Sequence, residues 1–157
     1  AANAKVLVID DDKDLRYSLR RALAGLGHNV IEADSGETGV VAAKREQPDV
    51  ILLDMNFSKD TTSGKEGFEW LKQIKEREPN AVVIMITAFG DVEMAVRALK
   101  EGATDFILKP WQNEKLVATI STAIKLKKSY NEVDKLRKAK QMLEEQIEAM
   151  QEPPLVV

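Results

Sequence analysis

Five short runs of apolar residues, each followed by a segment with helical spacing, constrain the fold of this chain more than any other feature. The runs are rich in Val, Ile and Leu and mostly lack the polar–apolar alternation of a half-buried strand. They cover residues 5–10, 29–33, 49–54, 81–87 and 104–109. Buried strands that alternate with helices predict a parallel sheet with right-handed crossovers and helices on both faces. We therefore expect an α/β fold with a doubly wound, five-stranded parallel sheet.

Local signals predict where several helices begin and end. The first helical segment carries an apolar stripe at Leu15, Leu19, Ala22, Leu23 and Leu26, and Gly27 is a stop signal. Asp34 with Glu37 fits a capping box at the start of the second helix. Asp91 is a plausible N-cap of the fourth helix, and Gly102 is its predicted C-cap.

The last part of the chain changes character at Leu126. Positions 126, 129, 133, 136, 140, 143, 147 and 150 follow heptad a/d spacing, and six of these eight residues are apolar. This pattern predicts that the fifth helix continues into a short coiled coil. The alternative is a solvated helix that packs back on its own domain. We expect a globular domain over 4–128, a coiled-coil linker helix over 129–152 and a truncated interdomain linker over 153–157.

Polar residues follow four of the predicted strands. They are Asp10, Asp11 and Asp12 after the first strand, Asp54 after the third, Thr87 after the fourth and Lys109 after the fifth. In the common doubly wound order the first strand lies beside the third, and ligands bind at the carboxyl ends of the strands. We therefore expect Asp10, Asp11 and Asp54 to converge, with Thr87 and Lys109 on the far side.

The chemistry of this set points to phosphoryl transfer. Clustered carboxylates repel each other unless a cation lies among them, and a hard divalent ion such as Mg²⁺ prefers oxygen ligands. Mg²⁺ and Lys109 would neutralise phosphate oxygens while a carboxylate oxygen of Asp54 attacks as the nucleophile. Each residue also has an ordinary explanation. Asp12 is expected to cap the next helix, Thr87 could bond the backbone, and Lys109 could be a surface lysine.

Composition excludes several classes of protein. The formal net charge of −3 gives no general attraction to nucleic acid. The chain has no cysteine, which excludes disulfides and thiolate chemistry and fits a reducing, cytoplasmic location. No apolar stretch approaches the roughly 20 residues that a membrane span needs, so we expect no membrane association.

Four motifs together resemble the receiver domain of bacterial response regulators in two-component systems. They are "VIDDD" (8–12), "LLDMN" (52–56), "MITAFGD" (85–91) and "ILKPW" (107–111). The stretch from Thr87 to Pro110 is similar in particular to receivers of NtrC-type, sigma-54-dependent transcriptional activators. The resemblance covers residues 4–128 and implies a CheY-like (flavodoxin-like) sheet in the order 2-1-3-4-5, followed here by a C-terminal helical extension.

The resemblance also implies a role for each matching residue. Asp54 would accept a phosphoryl group from a sensor histidine kinase. Mg²⁺ would be bound by Asp10, Asp11, Asp54 and the backbone carbonyl of Asn56, with Asp10 acting through water. Thr87 and Lys109 would bind the phosphoryl oxygens, and Phe106 would be the aromatic switch residue that moves as Thr87 moves. The Lys109–Pro110 bond is typically cis in this family.

The segment after Asp54 departs from the family pattern. Receivers usually continue with a short loop of the type Met-Pro-x-x-x-Gly, whereas this chain lacks the proline and has a longer polar loop before Gly67. We expect the insertion to overhang the site and to tune kinase access or phosphoryl lifetime. Asn56 could also orient the hydrolytic water.

The expected function is a phosphorylation-dependent signalling domain that assists only its own phosphorylation and dephosphorylation and is not otherwise an enzyme. It would form a homodimer that rearranges and so regulates a downstream transcription-activating ATPase module. The sequence contains no GxxxxGK[ST] motif and no helix-turn-helix segment. Contact with DNA would therefore occur only through downstream domains that are absent from this chain.

A haloacid-dehalogenase-like phosphatase is the alternative. Asp10 and Asp12 have the Asp-x-Asp spacing of such enzymes, which also use a later Thr and Lys. They need a further acidic pair after the lysine, where this chain has only a helix with Glu114. That assignment would also leave Asp54 without a role.

Overall fold

Five strands alternate with five helices in the computed structural model, which describes residues 3–55, 65–88 and 92–151. The strands are β1 (Lys5–Ile9), β2 (Asn29–Ala33), β3 (Val50–Asp54), β4 (Val83–Ala88) and β5 (Asp105–Lys109). The helices are α1 (Lys13–Ala24), α2 (Gly36–Glu46), α3 (Lys65–Arg77), α4 (Val92–Lys100) and α5 (Asn113–Met150). All strand pairs are parallel and the order is β2-β1-β3-β4-β5, which confirms the predicted fold.

Burial follows the position of each strand in the sheet. All of β3 is buried, and the inner strands β1 and β4 are buried except for one terminal residue each. The edge strand β5 is mostly half-exposed, and the edge strand β2 has two exposed, two half-exposed and one buried residue. Strands covered by helices on both faces lack a solvated side, which explains why their sequences show no alternation. Because Ile9 pairs with Leu53, the ends of β1 and β3 lie side by side.

Two glycines let α2 pack very closely on its neighbours. A Cβ atom added at Gly36 would lie 1.9 Å from the Trp70 ring on α3. One added at Gly39 would lie 2.6 Å from the Ile9 side chain on β1. The absence of a side chain at these positions therefore permits the contacts that cover this face of the sheet.

Some helix boundaries differ from the sequence prediction. The N-cap of α2 is Ser35 and its capping box uses Thr38, not Asp34 with Glu37. The hydroxyl of Thr38 replaces the expected carboxylate as the group that accepts from the N-cap N–H, at 3.2 Å. Leu26 is 39% exposed because α1 ends at Ala24, before that residue could join the buried stripe. The predicted cap at Asp91 lies outside the described residues.

The chain divides into two compact units, residues 1–127 and 128–157. In the second unit, every residue from 131 to 150 is helical and exposed. Five exposed apolar side chains lie at the predicted heptad positions Val133, Leu136, Leu143, Ile147 and Met150. The coiled coil and the predicted domain limits stay predictions, and residues 153–157 lie outside the described part. Within the described residues, no helix has the length and apolar character needed to cross a bilayer.

Candidate functional site

The acidic loop after β1 places two carboxylates in different roles. Asp12 is the N-cap of α1, and its side chain accepts from the N–H groups of Asp14 and Leu15. Asp10 is fully buried, and its Oδ1 accepts from the Asp12 N–H at 2.9 Å. The loop therefore turns one carboxylate toward the helix and encloses the other.

Three carboxylates from two neighbouring strand ends form a cluster. Asp10 and Asp11 follow β1, and Asp54 ends β3 and is 1% exposed. Each offers one carboxylate oxygen, and these oxygens all lie within 4.8 Å of one another. The proximity follows from the sheet order, because β1 and β3 are paired up to Ile9 and Leu53.

The cluster is electrostatically unfavourable on its own. Burial and then the negative charge of Asp54 raise the pKa of Asp10 from 3.8 to about 7. The Asp12 N–H and the charge of Lys109 act in the opposite direction. The buried Oδ2 atom of Asp10 has no hydrogen-bond partner among the described residues. A cation bound among the three carboxylates would offset this repulsion.

These features fit a hard divalent cation. Mg²⁺ binds through one or two carboxylates and retains several water ligands, which leaves coordination positions for phosphate oxygens. Asp11 and Asp54 would supply the side-chain ligands, and Asp10 would act through a water molecule. The predicted fourth ligand, the backbone carbonyl of Asn56, lies outside the described residues, as does the polar loop after it.

Lys109 brings a positive charge to the cluster from a different strand. It ends β5, and its Nζ donates to Asp54 Oδ1 at 3.0 Å. The contact joins residues 55 positions apart in sequence. The peptide bond between Lys109 and Pro110 is cis, as the resemblance implied.

Thr87 and Phe106 occupy the two strands beyond Asp54. Thr87 follows Ile86, the residue that pairs with Asp54, and its fully buried hydroxyl has no hydrogen-bond partner among the described residues. Phe106 is half-buried on β5 opposite Met85 and packs against the main core. A buried hydroxyl without a partner is rare, so Thr87 is a candidate donor to a ligand at this edge of the sheet.

Two residues that support the site were missed by sequence reasoning. The Gly67 backbone approaches β3 so closely that an added Cβ would lie 3.0 Å from Met55 Cα and 3.3 Å from the carbonyl oxygen of Asp54. Arg16 on α1 donates to the carbonyl oxygen of Asp10 at 2.6 Å. The proximity of Gly67 to β3 could only have been suspected from its place in the family loop. Arg16 gave no signal, because its partner is a backbone atom.

The five-stranded sheet gathers an acidic cluster, a lysine and a buried hydroxyl at its carboxyl edge. The family model described as "Response regulator receiver domain" matches residues 6–121. The chain therefore belongs to the response regulator receiver domain family, and the resemblance drawn from its motifs is confirmed.

Curated relatives include regulators of transcription. The DNA-binding transcriptional regulator NtrC of Salmonella typhimurium is 39% identical over 119 residues, which cover 76% of this chain and 24% of that protein. The C4-dicarboxylate transport transcriptional regulatory protein DctD of Pseudomonas aeruginosa is 34% identical over 138 residues, which cover 88% and 29%. The chain thus spans about a quarter of the length of such relatives.

Solved structures show the same fold. NtrX from Brucella abortus in complex with ATP has a TM-score of 0.78 and 30% identity, over 86% of this chain and 30% of that one. The isolated receiver domain of the same protein has a TM-score of 0.71 and 30% identity, over 76% and 98%. The near-complete coverage of that domain shows that most of this chain is a receiver unit.

Proposed function

We propose that Asp54 accepts a phosphoryl group from a phosphohistidine of a sensor histidine kinase. A carboxylate oxygen of Asp54 forms the new P–O bond, and the histidine nitrogen leaves with the electron pair of the P–N bond and takes up a proton from solvent. The observation that carries this proposal is the 3.0 Å contact between Lys109 Nζ and Asp54 Oδ1, made beside the other two carboxylates. Nucleophile and charge-neutralising groups are thereby in one place.

The side chains around Asp54 have separable roles in this step. When bound, Mg²⁺ supplies positive charge that offsets the charge on the phosphoryl oxygens. Asp10 and Asp11, together with the backbone carbonyl of Asn56, would hold that ion beside Asp54. Lys109 contacts a phosphoryl oxygen once the transfer is complete, and its ammonium group then compensates the added negative charge.

Thr87 and Phe106 would then change position in response to phosphorylation. A phosphoryl group provides strong acceptor oxygens, and the buried Thr87 hydroxyl is a donor without a present partner among the described residues. Movement of Thr87 toward the phosphoryl group would free space for the Phe106 ring on the neighbouring strand. The change at Phe106 then alters a homodimer formed through the α5 heptads. That rearrangement regulates a downstream transcription-activating ATPase module.

The phosphatase alternative is not favoured. Asp12, which that mechanism would need for catalysis, instead caps α1. Asp54, which that mechanism leaves idle, is the carboxylate in contact with Lys109. The only chemistry we propose for this domain is assistance of its own phosphorylation and dephosphorylation.

The test compares Asp54→Asn with Asp12→Asn. After treatment with acetyl phosphate and Mg²⁺, mass spectrometry should show one added phosphoryl group on the wild-type chain and none on Asp54→Asn. Asp12→Asn should still be phosphorylated, because asparagine also caps helices well. Chelation of Mg²⁺ should abolish modification of the wild-type chain.

The opposite pattern would overturn the assignment. Phosphorylation of Asp54→Asn would mean that another residue is the acceptor. Loss of modification only in Asp12→Asn would favour the phosphatase arrangement. Undiminished modification in chelator would refute the role of Mg²⁺.

A further inference from the structure

Arg16 connects the main chain of the acidic loop to the edge of the sheet. Its side chain is only 15% exposed, unlike that of a typical surface arginine. Its Nη1 donates to the carbonyl oxygen of Asp10 at 2.6 Å, and its Nε donates to Glu32 Oε1 at 3.3 Å. The guanidinium therefore uses its rigid fork to bridge two partners that a single-headed cation could not hold together.

Glu32 fixes the other end of this connection. It lies on β2 in register with Val8 of β1, so its backbone is part of the sheet. Its second carboxylate oxygen accepts from Arg20, whose side chain is 55% exposed. Arg16 and Arg20 thus share one carboxylate, but the contact with the Asp10 carbonyl is made by Arg16.

Almost every polar atom of Asp10 is restrained. Its N–H donates to the carbonyl of Ala33 at 3.0 Å, its carbonyl accepts from Arg16, and its Oδ1 accepts from the Asp12 N–H. These bonds hold a buried carboxylate close to those of Asp11 and Asp54, although the three repel each other. The bond from Arg16 is charge-assisted and belongs to the stronger class of hydrogen bonds.

We propose that Arg16 is a positioning residue that sets the affinity of the carboxylate cluster for Mg²⁺. Without the bond from Arg16, the Asp10 main chain loses the restraint that opposes carboxylate repulsion, and the cluster opens before the ion binds. The inference rests on the proposed function, since it takes Mg²⁺ as the ion. Groups that orient metal ligands through hydrogen bonds influence affinity strongly although they never touch the metal.

The test is a titration of the full chain with MgCl₂, in which isothermal titration calorimetry measures the affinity for Mg²⁺. Arg16→Met should weaken Mg²⁺ binding by about tenfold, the lower end of the range for such supporting residues. Arg16→Lys should recover part of that loss, because an ammonium group can still donate to the Asp10 carbonyl. Arg20→Met is the matched control, since it removes the other arginine at Glu32, and should change the affinity by less than about twofold.

A second control separates positioning from general loss of stability. Lys75 on α3 donates to the carbonyls of Pro79 and Ala81, at 2.7 and 3.0 Å, near the amino end of β4. Lys75→Met should lower the melting temperature without changing the affinity for Mg²⁺. Hydrogen exchange in chelator adds a readout without metal, in which the Asp12 N–H should exchange faster in Arg16→Met than in Arg20→Met.

The outcomes distinguish the two claims. A wild-type chain that binds Mg²⁺ and an Arg16→Met variant that binds it equally well would overturn the positioning role alone. Equal weakening by Arg20→Met or Lys75→Met would also overturn it, because the effect would then be general. A wild-type chain that binds no Mg²⁺ would overturn the proposed function and the inference together.

Discussion

Asp10 shows how a single residue can oppose folding and still be needed for the proposed Mg²⁺ site. Its carboxylate is fully buried beside Asp54, and burial and that neighbouring charge raise its pKa to about 7. In the unfolded chain the group would titrate near 3.8. Because the folded protein holds the proton more tightly, Asp10 favours the folded state at low pH. This contribution is lost as the pH rises through about 7.

Asp10→Asn should therefore stabilise the metal-free domain above pH 7. We expect a gain of up to about 4 kcal/mol at pH 8 in chelator, measured by urea unfolding. The gain should shrink toward pH 5, where the wild-type carboxyl is protonated and no longer repels Asp54. The same variant should lose most of the stabilisation that added Mg²⁺ gives the wild-type chain.

The exposed Asp14 provides the matched control for this prediction. Asp14→Asn should change the free energy of unfolding by less than about 0.5 kcal/mol at either pH, since the position is exposed. A destabilised Asp10→Asn at pH 8 in chelator would contradict the assigned repulsion.

For single residues, the sequence predicted which side chains form the site better than which residues hold them in place. Asp10, Asp11, Asp54 and Lys109 could be placed at one edge because parallel strands end on the same side. The contact of Arg16 with the Asp10 carbonyl could not be predicted. It depends on how the first turn of α1 lies against the loop, and the partner is a backbone atom that every residue has.

Among the elements, strands were easier to predict than helix ends. All five apolar runs correspond to strands, and burial explains the runs of the inner strands β1, β3 and β4, whereas β2 and β5 are only partly buried. Helix ends depend on which of several possible residues forms the cap. At α2, Ser35 with Thr38 formed the capping box that Asp34 with Glu37 also could have formed. The contact of Gly36 with Trp70 joins two helices, so no local pattern could reveal it.

Gly36→Ala should destabilise the packing of α2 on α3. The new methyl group would lie within about 2 Å of the Trp70 ring, which must move out of its place. We expect a loss of about 1–3 kcal/mol in the free energy of unfolding, as for other overpacked positions. Chemical denaturation, with the fluorescence of Trp70 as one probe, measures it.

The same substitution at Gly25 is the control. Gly25 is the C-cap of α1 with φ −61° and ψ −22°, a conformation open to any residue. Gly25→Ala should change the stability much less than Gly36→Ala, because the nearest atom to its added Cβ is the Arg21 carbonyl oxygen at 3.2 Å. Equal destabilisation by both alanines would show that the Trp70 contact is not the cause.

For the whole molecule, the second unit raises the question of what covers its apolar positions. Val133, Leu136, Leu143 and Ile147 are 46–60% exposed and recur at the a/d spacing that the sequence predicted. Their helical conformation was predictable from heptads and the absence of Gly and of Pro before Pro153. Their partner was not, because one chain does not define an assembly.

Leu143→Glu should weaken self-association of the full chain. A charge at an apolar heptad position would face the partner helix and remain poorly solvated in the dimer. Sedimentation velocity over a range of concentrations should show the monomer–dimer equilibrium shifted at least tenfold toward monomer, which corresponds to about 1.4 kcal/mol.

Met142 offers a closely matched control. It is 62% exposed, against 58% for Leu143, but it lies off the a/d positions. Met142→Glu should leave the equilibrium nearly unchanged, whereas deletion of residues 129–157 should weaken association at least as much as Leu143→Glu. Identical assembly with and without that segment would exclude the coiled coil.

The buried hydroxyl of Thr87 sets stability and responsiveness against each other. A donor without an acceptor in the interior costs the native state about 1–3 kcal/mol, and among the described residues Thr87 Oγ1 has none. An anion bonded to Asp54 would remove that penalty by accepting from the hydroxyl. If the hydroxyl were already satisfied in the resting domain, the anion would bring no such gain. A change that satisfied this hydroxyl in the resting state would thus stabilise the fold and make the domain harder to activate.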